Sequence, residues 1–201
     1  MTSRRPTSVV RFPVSLARYK VFREDVQAGD AAAPGEAPSG FEFAYIGEER
    51  TDELLCLPGR ATSAEDLRAR FLCRNICLAA LKNRRVVAFS WASFGLFQFE
   101  TYCFPLLESE AYLFDAYTLP EYRGLGLAGR IRRRLHRDLA AKGRTRCYSV
   151  TLNDNQSALR FKDKMNGREV DRGFTLRVLG RWTVGSRARP ERLRAVPERS
   201  A

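Results

Sequence analysis

The chain has 201 residues, a length that a single folded domain accounts for. Its 44% hydrophobic and 11% aromatic content is enough for a packed core, and no apolar run reaches the roughly 18 residues that a membrane-spanning helix needs. The N-terminus also lacks the apolar stretch of a secretory signal, so we expect a cytoplasmic protein. Because His136 is the only histidine, a zinc site and a histidine-dependent hydrolase are both poorly supplied, and we expect no metal.

The net charge of +12 is unevenly distributed along the sequence. Between Tyr122 and Arg146 many basic residues accompany a single acid, Asp138, and more arginines follow Gly180. Such a concentration indicates an anionic partner, such as the phosphates of a cofactor or a nucleic acid, or else a solvated helix face. For the arginines after Gly180 we favour a solvated surface. The five cysteines are irregularly spaced, and we expect reduced, mostly buried thiols instead of disulfides.

The N-terminal half of the sequence alternates short periodic segments with loops. Residues 1–15 are typical of a weakly structured lead-in, and the small, Gly- and Pro-rich residues 27–40 are typical of a linker. The aromatic segment 94–110 is long for a connection, so it is either additional strand or the lip of a functional site. The other elements predicted here are a helix over 16–26, a strand over 41–46, a helix that begins after Ser63, and a hairpin of strands over 76–81 and 85–93.

The C-terminal half contains the strongest helix signal of the chain. A leucine or isoleucine recurs every four residues over 127–142, and Gly143 is placed to end the helix. The other predicted elements are a strand over 111–118, a strand over 146–152, a helix capped by Asn155, and strands over 174–178 and 182–184. Strands and helices that alternate after an antiparallel hairpin predict a mixed α/β sheet. We divide the chain into a lead-in and linker (1–40), a folded domain (41–185) and a basic, disordered tail (186–201).

The segment 117–129, YTLPEYRGLGLAG, lies where a predicted strand ends and the strongest helix begins. Glycines in such a turn let successive main-chain N–H groups converge on one point, and the helix N-terminus adds a positive dipole. The segment therefore predicts a cradle for a pyrophosphate. Neither the P-loop nor the dinucleotide-binding glycine pattern fits it.

This arrangement resembles the coenzyme A motif of the GNAT superfamily of N-acyltransferases, R/Q-x-x-G-x-G/A preceded by V-x-P or T-x-P. Residues 123–128 supply the first part, and Thr118-Leu119-Pro120 supply the second. About thirty residues later the family shows N-x-x-A-x-x-x-Y-x-K-x-G-F. Asn155, Ala158 and Lys164 follow it, but Lys162 stands at the tyrosine position and the G-F is displaced by one, reading Asn166-Gly167. The resemblance covers roughly residues 76–178. It implies a mixed, mostly antiparallel central sheet flanked by helices, with splayed central strands.

The resemblance also implies that acetyl-CoA, or another acyl-CoA, is the co-substrate. The backbone of Tyr117, Thr118 and Leu119 would pair with the pantetheine arm and polarise the thioester carbonyl. Asn155 would lie near the pantetheine while capping its helix. Lys162 would protonate the departing thiolate, contact a phosphate, or be a solvated helix lysine. The pyrophosphate would be held, mainly by main-chain donors, at Arg123, Gly124, Leu125, Gly126, Leu127, Ala128 and Gly129.

A base must remove a proton from an ammonium substrate before attack. In some family members the base stands at the position of Tyr112, which here would position a water. Glu110 shares its face by strand alternation and is the first candidate for the base. Asp115 is the second candidate, although alternation places it on the opposite face unless a β-bulge intervenes.

The leading functional hypothesis is direct transfer of an acyl group to an amine-bearing small molecule or protein. The alternative is a GNAT-like module that has lost its catalytic residues and binds coenzyme A or a partner. Nucleic-acid binding is disfavoured, because the apolar stripe of the arginine-rich helix must pack on the sheet and no RNA-binding signature is present. The oligomeric state stays open, with a homodimer among the alternatives.

Overall fold

The computed structural model describes residues 14–26, 40–60, 62–178 and 182–195. Its elements in chain order are β1 (Val14–Asp25), β2 (Phe41–Ile46), α1 (Thr51–Leu55), α2 (Ala64–Leu72), β3 (Ile76–Lys82), β4 (Arg85–Ser93), β5 (Leu96–Phe99), β6 (Tyr102–Pro105), β7 (Glu110–Thr118), α3 (Leu127–Ala140), β8 (Arg146–Leu152), α4 (Gln156–Lys164), β9 (Arg168–Val178), β10 (Trp182–Gly185) and α5 (Pro190–Ala195). Within these ranges no helix combines the length and the apolar composition that crossing a membrane requires.

Eight strands form one sheet in the order β10-β9-β1-β8-β7-β4-β3-β2, while β5 and β6 pair as a separate hairpin. Every neighbouring pair in the large sheet is antiparallel except β7 and β8. These two parallel strands pair only from Glu110 opposite Arg146 to Tyr112 opposite Tyr148, although both continue further. The predicted mixed, mostly antiparallel sheet with splayed central strands is confirmed.

Strand β1 lies in the middle of this sheet, between β8 and β9 and antiparallel to both. The helix predicted over 16–26 is therefore wrong, and part of the segment expected to precede the domain belongs to its sheet. Tyr19 and Val21, two residues apart, are fully buried, which is the period of a strand. The spacing of the apolar residues in β1 is also compatible with a helix. The segment is a strand because hydrogen bonds to two flanking strands satisfy its main-chain N–H and C=O groups.

The core lies on both faces of the sheet. On one face α3 buries Leu127, Ile131, Leu135 and Leu139 against β3, β4 and β7, which confirms the predicted apolar stripe. The opposite face carries two further clusters. One packs α1 and α2 against β3 and β4, and the other packs the β5–β6 hairpin and α5 against β1, β7 and β8.

The aromatic segment 94–110 contains the β5–β6 hairpin, so the alternative of additional strand is correct. Part of the tail that we expect to be disordered forms α5, in which Leu193 is fully buried, and residues 196–201 lie outside the described ranges. The predicted strand over 174–178 begins earlier, at Arg168.

The cysteines depart from the expectation of mostly buried thiols. All five are free, and Cys56, Cys73 and Cys103 are exposed. Only Cys77 and Cys147, which point from β3 and β8 into the packed clusters, are buried.

Candidate active site

Hydrogen bonds fix the backbone where the chain leaves the sheet at the end of β7. The Leu119 amide donates to the Val87 carbonyl of β4 at 2.9 Å, and a 3-10 turn, Pro120–Tyr122, follows. Leu119 N–H is therefore occupied and unavailable to a thioester. Because N–H groups alternate between the two edges of a strand, the Thr118 amide points the other way, toward the gap between β7 and β8. Arg123 Nε closes the turn by donating to the Thr118 carbonyl at 3.2 Å.

The glycine-rich turn that follows is held in left-handed backbone conformations. Gly124 has φ +83° and Gly126, the N-cap of α3, has φ +74°, and L-residues adopt such angles at a cost of roughly 1–2 kcal/mol. A Cβ built on either glycine meets no atom within 4 Å, so no part of the chain that the structure describes covers the turn at these positions. Leu127 instead turns its side chain into the core, where it is 1% exposed.

The main-chain donors of this turn remain available. Within the described ranges, no amide from 124 to 129 donates to a main-chain carbonyl. Residues 123–126 and Ala128 are exposed, and the amides of α3's first turn add the positive end of the helix dipole. The turn therefore fits a diphosphate, which such a helix N-terminus binds through its N–H groups.

Tyr117 and Asn155 lie on either side of the gap between the diverging strands. The Tyr117 ring packs on the face of α1 and α2, and its hydroxyl donates to the Pro58 carbonyl at 2.7 Å. Asn155 begins α4, and its Oδ1 accepts from the Ala158 amide at 3.1 Å. The cap predicted for Asn155 is confirmed, while a contact with pantetheine stays a prediction.

Lys162 is not the solvated helix lysine that one alternative expected. It is 4% exposed, and its Nζ donates to Ser149 Oγ at 2.6 Å and lies 3.3 Å from Glu24 Oε1. Burial, aided by the nearby Arg132 and opposed by Glu24, lowers the pKa of Lys162 from 10.5 to about 8. Ser149 is the first residue of β8 beyond its last pair with β7, so this ammonium lies beside the point where the strands diverge.

Glu24 of β1 organises the buried charges around Lys162. Its carboxylate lies 3.4 Å from Arg132 and 3.0 Å from Nε2 of His136, both on α3. His136 is only 8% exposed. Burial alone would raise the pKa of Glu24, but Arg132, Lys162 and His136 hold it well below its ordinary value.

Glu110 lies at the closed end of the gap, where β7 and β8 are paired. Its carboxylate is fully buried and accepts from Arg194 Nε at 2.9 Å, from the Tyr148 hydroxyl at 3.1 Å and from the Leu107 amide at 2.9 Å. Burial by itself raises the pKa of Glu110, yet these donors keep it below the ordinary value. A carboxylate so enclosed is a poor base for a substrate.

Asp115 lies on a β-bulge near the open end of the gap. Between Phe89 and Trp91 the register of β4 against β7 shifts by one residue, and Asp115 takes φ +47°. The bulge turns its carboxylate to the face of α1 and α2, where Arg60 donates two hydrogen bonds, at 2.8 and 2.6 Å, and Arg70 donates another. Burial raises the pKa of Asp115, but the two arginines outweigh it and lower the pKa.

Tyr112 stands at the last paired position of β7 and is 5% exposed. Its ring packs 4.3 Å from that of Phe97 and 5.3 Å from that of Phe114, between centroids. Burial and the nearby Asp115 raise the pKa of its hydroxyl. The three predicted catalytic residues are thus spread along the strand, with Glu110 and Asp115 on the order of 15 Å apart.

A family model described as Acetyltransferase (GNAT) family matches residues 46–167. The chain belongs to the GNAT family. Over the described fold it is also similar to solved GNAT structures, and the matched region contains both the glycine turn and the diverging strands. A search of proteins of curated function finds no match.

Three of the solved structures illustrate the likeness. A protein from Novosphingobium aromaticivorans assigned to the GNAT family has a TM-score of 0.60 at 21% identity, over 82% of this chain and 66% of that one. A GCN5-related N-acetyltransferase from Kribbella flavida has a TM-score of 0.56 at 13% identity, over 82% and 59%. AAC(6')-Iy, in complex with the bisubstrate analogue CoA-S-monomethyl-acetylneamine, has a TM-score of 0.54 at 16% identity, over 66% of this GNAT chain and 94% of that one.

Several residues of this site were missed from the sequence. Glu24, Arg60, Arg70 and Ser149 come from β1, the loop after α1, α2 and β8. No motif joins them, since each gains its role only through pairing with distant strands. The one usable signal is the lysine at the tyrosine position, because a lysine that is buried at that place in the fold needs an acidic residue beside it.

Proposed function

We propose that this GNAT chain transfers an acetyl group from acetyl-CoA to an amine by direct reaction in a ternary complex. The observation that carries the proposal is the exposed glycine turn at the N-terminus of α3, whose main-chain donors have no main-chain partner among the described residues. Beside it, β7 beyond Tyr112 presents an edge that β8 no longer pairs. The turn would hold the pyrophosphate, and the free edge would pair with the extended pantetheine arm.

In the proposed reaction the amine nitrogen bonds to the thioester carbonyl carbon, the carbon–sulfur bond breaks, the amine loses a proton and the thiolate gains one. The Thr118 amide, which faces the gap, is the donor on β7 placed to stabilise the carbonyl oxygen as it becomes negative. The chain's contribution is chiefly to hold both reactants in register.

We assign the proton donor to Lys162, directly or through the Ser149 hydroxyl. An ammonium with a pKa of about 8 is protonated at neutral pH and gives up its proton readily, which suits the thiolate of coenzyme A. Glu24, Arg132 and His136 fix it in place. They act through Lys162 and are positioning residues.

We assign the proton acceptor to Asp115 acting through a water. Its side chain is 21% exposed at the open end, whereas Glu110 is enclosed at the other. Because Arg60 and Arg70 keep the Asp115 carboxylate ionised, it holds a water but is itself a weak base.

Calorimetry with acetyl-CoA and a thiol-release assay over a broad amine panel test the proposal. Gly126→Ala should weaken acetyl-CoA binding at least about tenfold, because it disturbs the donors of the turn. Gly143→Ala is the matched control, since Gly143 has the same φ of +74° and equally open surroundings at the other end of α3. Equal losses in both variants, or no binding by the unmodified chain, would sink the proposal.

The second candidate is a module that binds coenzyme A without turnover. The occupied state of both carboxylates, Glu110 with Arg194 and Asp115 with Arg60 and Arg70, favours it. Acetyl-CoA binding with no thiol release over the whole panel would establish this candidate and exclude the transferase.

A further inference from the structure

The strongest unassigned feature is a pair of arginines on the face opposite α3. Arg60, from the loop after α1, and Arg70, from α2, converge on the single carboxylate of Asp115. Their side chains are 8% and 21% exposed. Arg60 Nε has no hydrogen-bond partner among the described residues. This arrangement contains more donors than one carboxylate satisfies.

Each guanidinium lies over two aromatic rings. The Arg60 carbon lies 4.7 Å from the Phe89 ring centroid and 5.4 Å from that of Tyr117. Arg70 lies 5.3 Å from the centroids of Trp91 and Phe114. Such stacking fixes the planes of the guanidinium groups and leaves their edges for planar oxyanions, the geometry of carboxylate recognition.

The cluster has an excess of positive charge in a partly desolvated place. Two guanidiniums oppose one carboxylate, and Asp66, one turn before Arg70, is exposed and engaged by Ser63 in the capping box of α2. A free ammonium alone would be repelled there, whereas an acceptor that brings its own negative group would balance the charge.

The position of the cluster relates it to the acceptor. The face of α3 and α4 carries the glycine turn and Lys162, so the amine must approach the gap from the other face. There the bulge at Asp115 marks the open end of β7. We propose that Arg70, with Arg60, binds a carboxylate on the acceptor, which is an amine of the amino acid type. This rests on the proposed function and specifies the acceptor.

Equilibrium binding tests this inference without turnover. L-amino acids, each beside its carboxamide, are titrated calorimetrically into the full chain, alone and saturated with coenzyme A. We expect at least one acid to bind about tenfold more tightly than its amide, and Arg70→Gln to remove the difference. Arg68→Gln on the same helix is the control, because Arg68 is 67% exposed and its one ion pair among the described residues is a long one with Glu48, at 3.8 Å.

A comparison of the affinities for β-alanine, O-phosphoethanolamine and propylamine shows whether the site prefers an amine that carries a carboxylate, a phosphate or no anionic group. Four outcomes would each overturn the carboxylate assignment. They are tighter binding of the phosphate, equal binding of an acid and its amide, no binding at all, and an equal effect of Arg70→Gln on the affinities for the acid and for the amide. Failure of acetyl-CoA to bind instead overturns the proposed function, while the titrations without coenzyme A still decide the role of Arg70.

Discussion

The two ends of β7 use the same pair of groups, a carboxylate and arginine, for different purposes. At the closed end Glu110 is fully buried and joins Arg194 of α5 to the start of the strand. At the open end Asp115 is partly exposed on a bulge and meets two arginines held by aromatic rings. An acid in a functional strand is therefore not identified by its ion pair. A structural acid differs from a reactive one in two ways: how far it lies from the point where β7 and β8 diverge, and how exposed it is to solvent.

The largest expected effect is at the closed end. Glu110→Gln should lower the free energy of unfolding by about 3 kcal/mol, because an amide replaces a fully buried carboxylate that accepts from Arg194, Tyr148 and the Leu107 amide. Urea denaturation followed by fluorescence measures it. Arg194→Ala should act in the same direction, since it leaves the buried Glu110 uncompensated. A large loss of turnover in folded Glu110→Gln with unchanged stability would reverse the comparison and restore Glu110 as the base.

The second effect belongs to the open end. Asp115→Asn should lower turnover about a hundredfold, because the water loses its acceptor. Asparagine tolerates the left-handed φ of +47°, but it leaves Arg60, which is 8% exposed, and Arg70 without their charge partner, so the free energy of unfolding should fall by about 2 kcal/mol. Steady-state kinetics beside denaturation measures both. If Asp115→Asn destabilises the fold as much as Glu110→Gln and leaves turnover intact, the acids at both ends of β7 have a structural role only.

The contrast also shows where sequence reasoning succeeds. The apolar stripe of α3, the β3–β4 hairpin and the glycine turn follow from local spacing, because nearby residues determine them. The bulge at Asp115 depends on the register between β4 and β7, and the burial of Lys162 depends on Glu24, 138 residues away. Strand β1 was mistaken for a helix for the same reason, since its partners are β8 and β9.

The third effect concerns the proton donor on the other face. If Lys162 donates with a pKa of about 8, turnover should fall as pH rises through that value, about tenfold per unit. Lys162→Met should lower turnover at pH 7 by about tenfold and remove this limb, while Glu24 keeps Arg132 and His136. A pH–rate profile between 6.5 and 9.5, roughly the window around that pKa, measures it.

Stability gives a second reading of the same lysine. Its folded pKa lies below the ordinary 10.5, so the folded chain binds fewer protons than the unfolded chain between about pH 8 and 10.5. Lys162 therefore adds stability as the pH rises through this window, and Lys162→Met should lose that contribution. A pH slope identical in both proteins would mean that Lys162 titrates normally and is no special donor.

The smallest effect concerns Asn155, across the gap from Asp115, and distinguishes its role as a helix cap from a direct contact with pantetheine. Asn155→Ala should lower the free energy of unfolding by about 1 kcal/mol, because the Ala158 amide loses its acceptor. Asn155→Ser retains a capping oxygen and should restore stability. If Asn155 also contacts pantetheine, the serine variant will bind acetyl-CoA more weakly than the unmodified chain although its fold is as stable. Calorimetry that finds equal affinity in the serine variant would reduce Asn155 to a cap, and the binding energy on that side of the gap would then rest on the glycine turn and the free edge of β7.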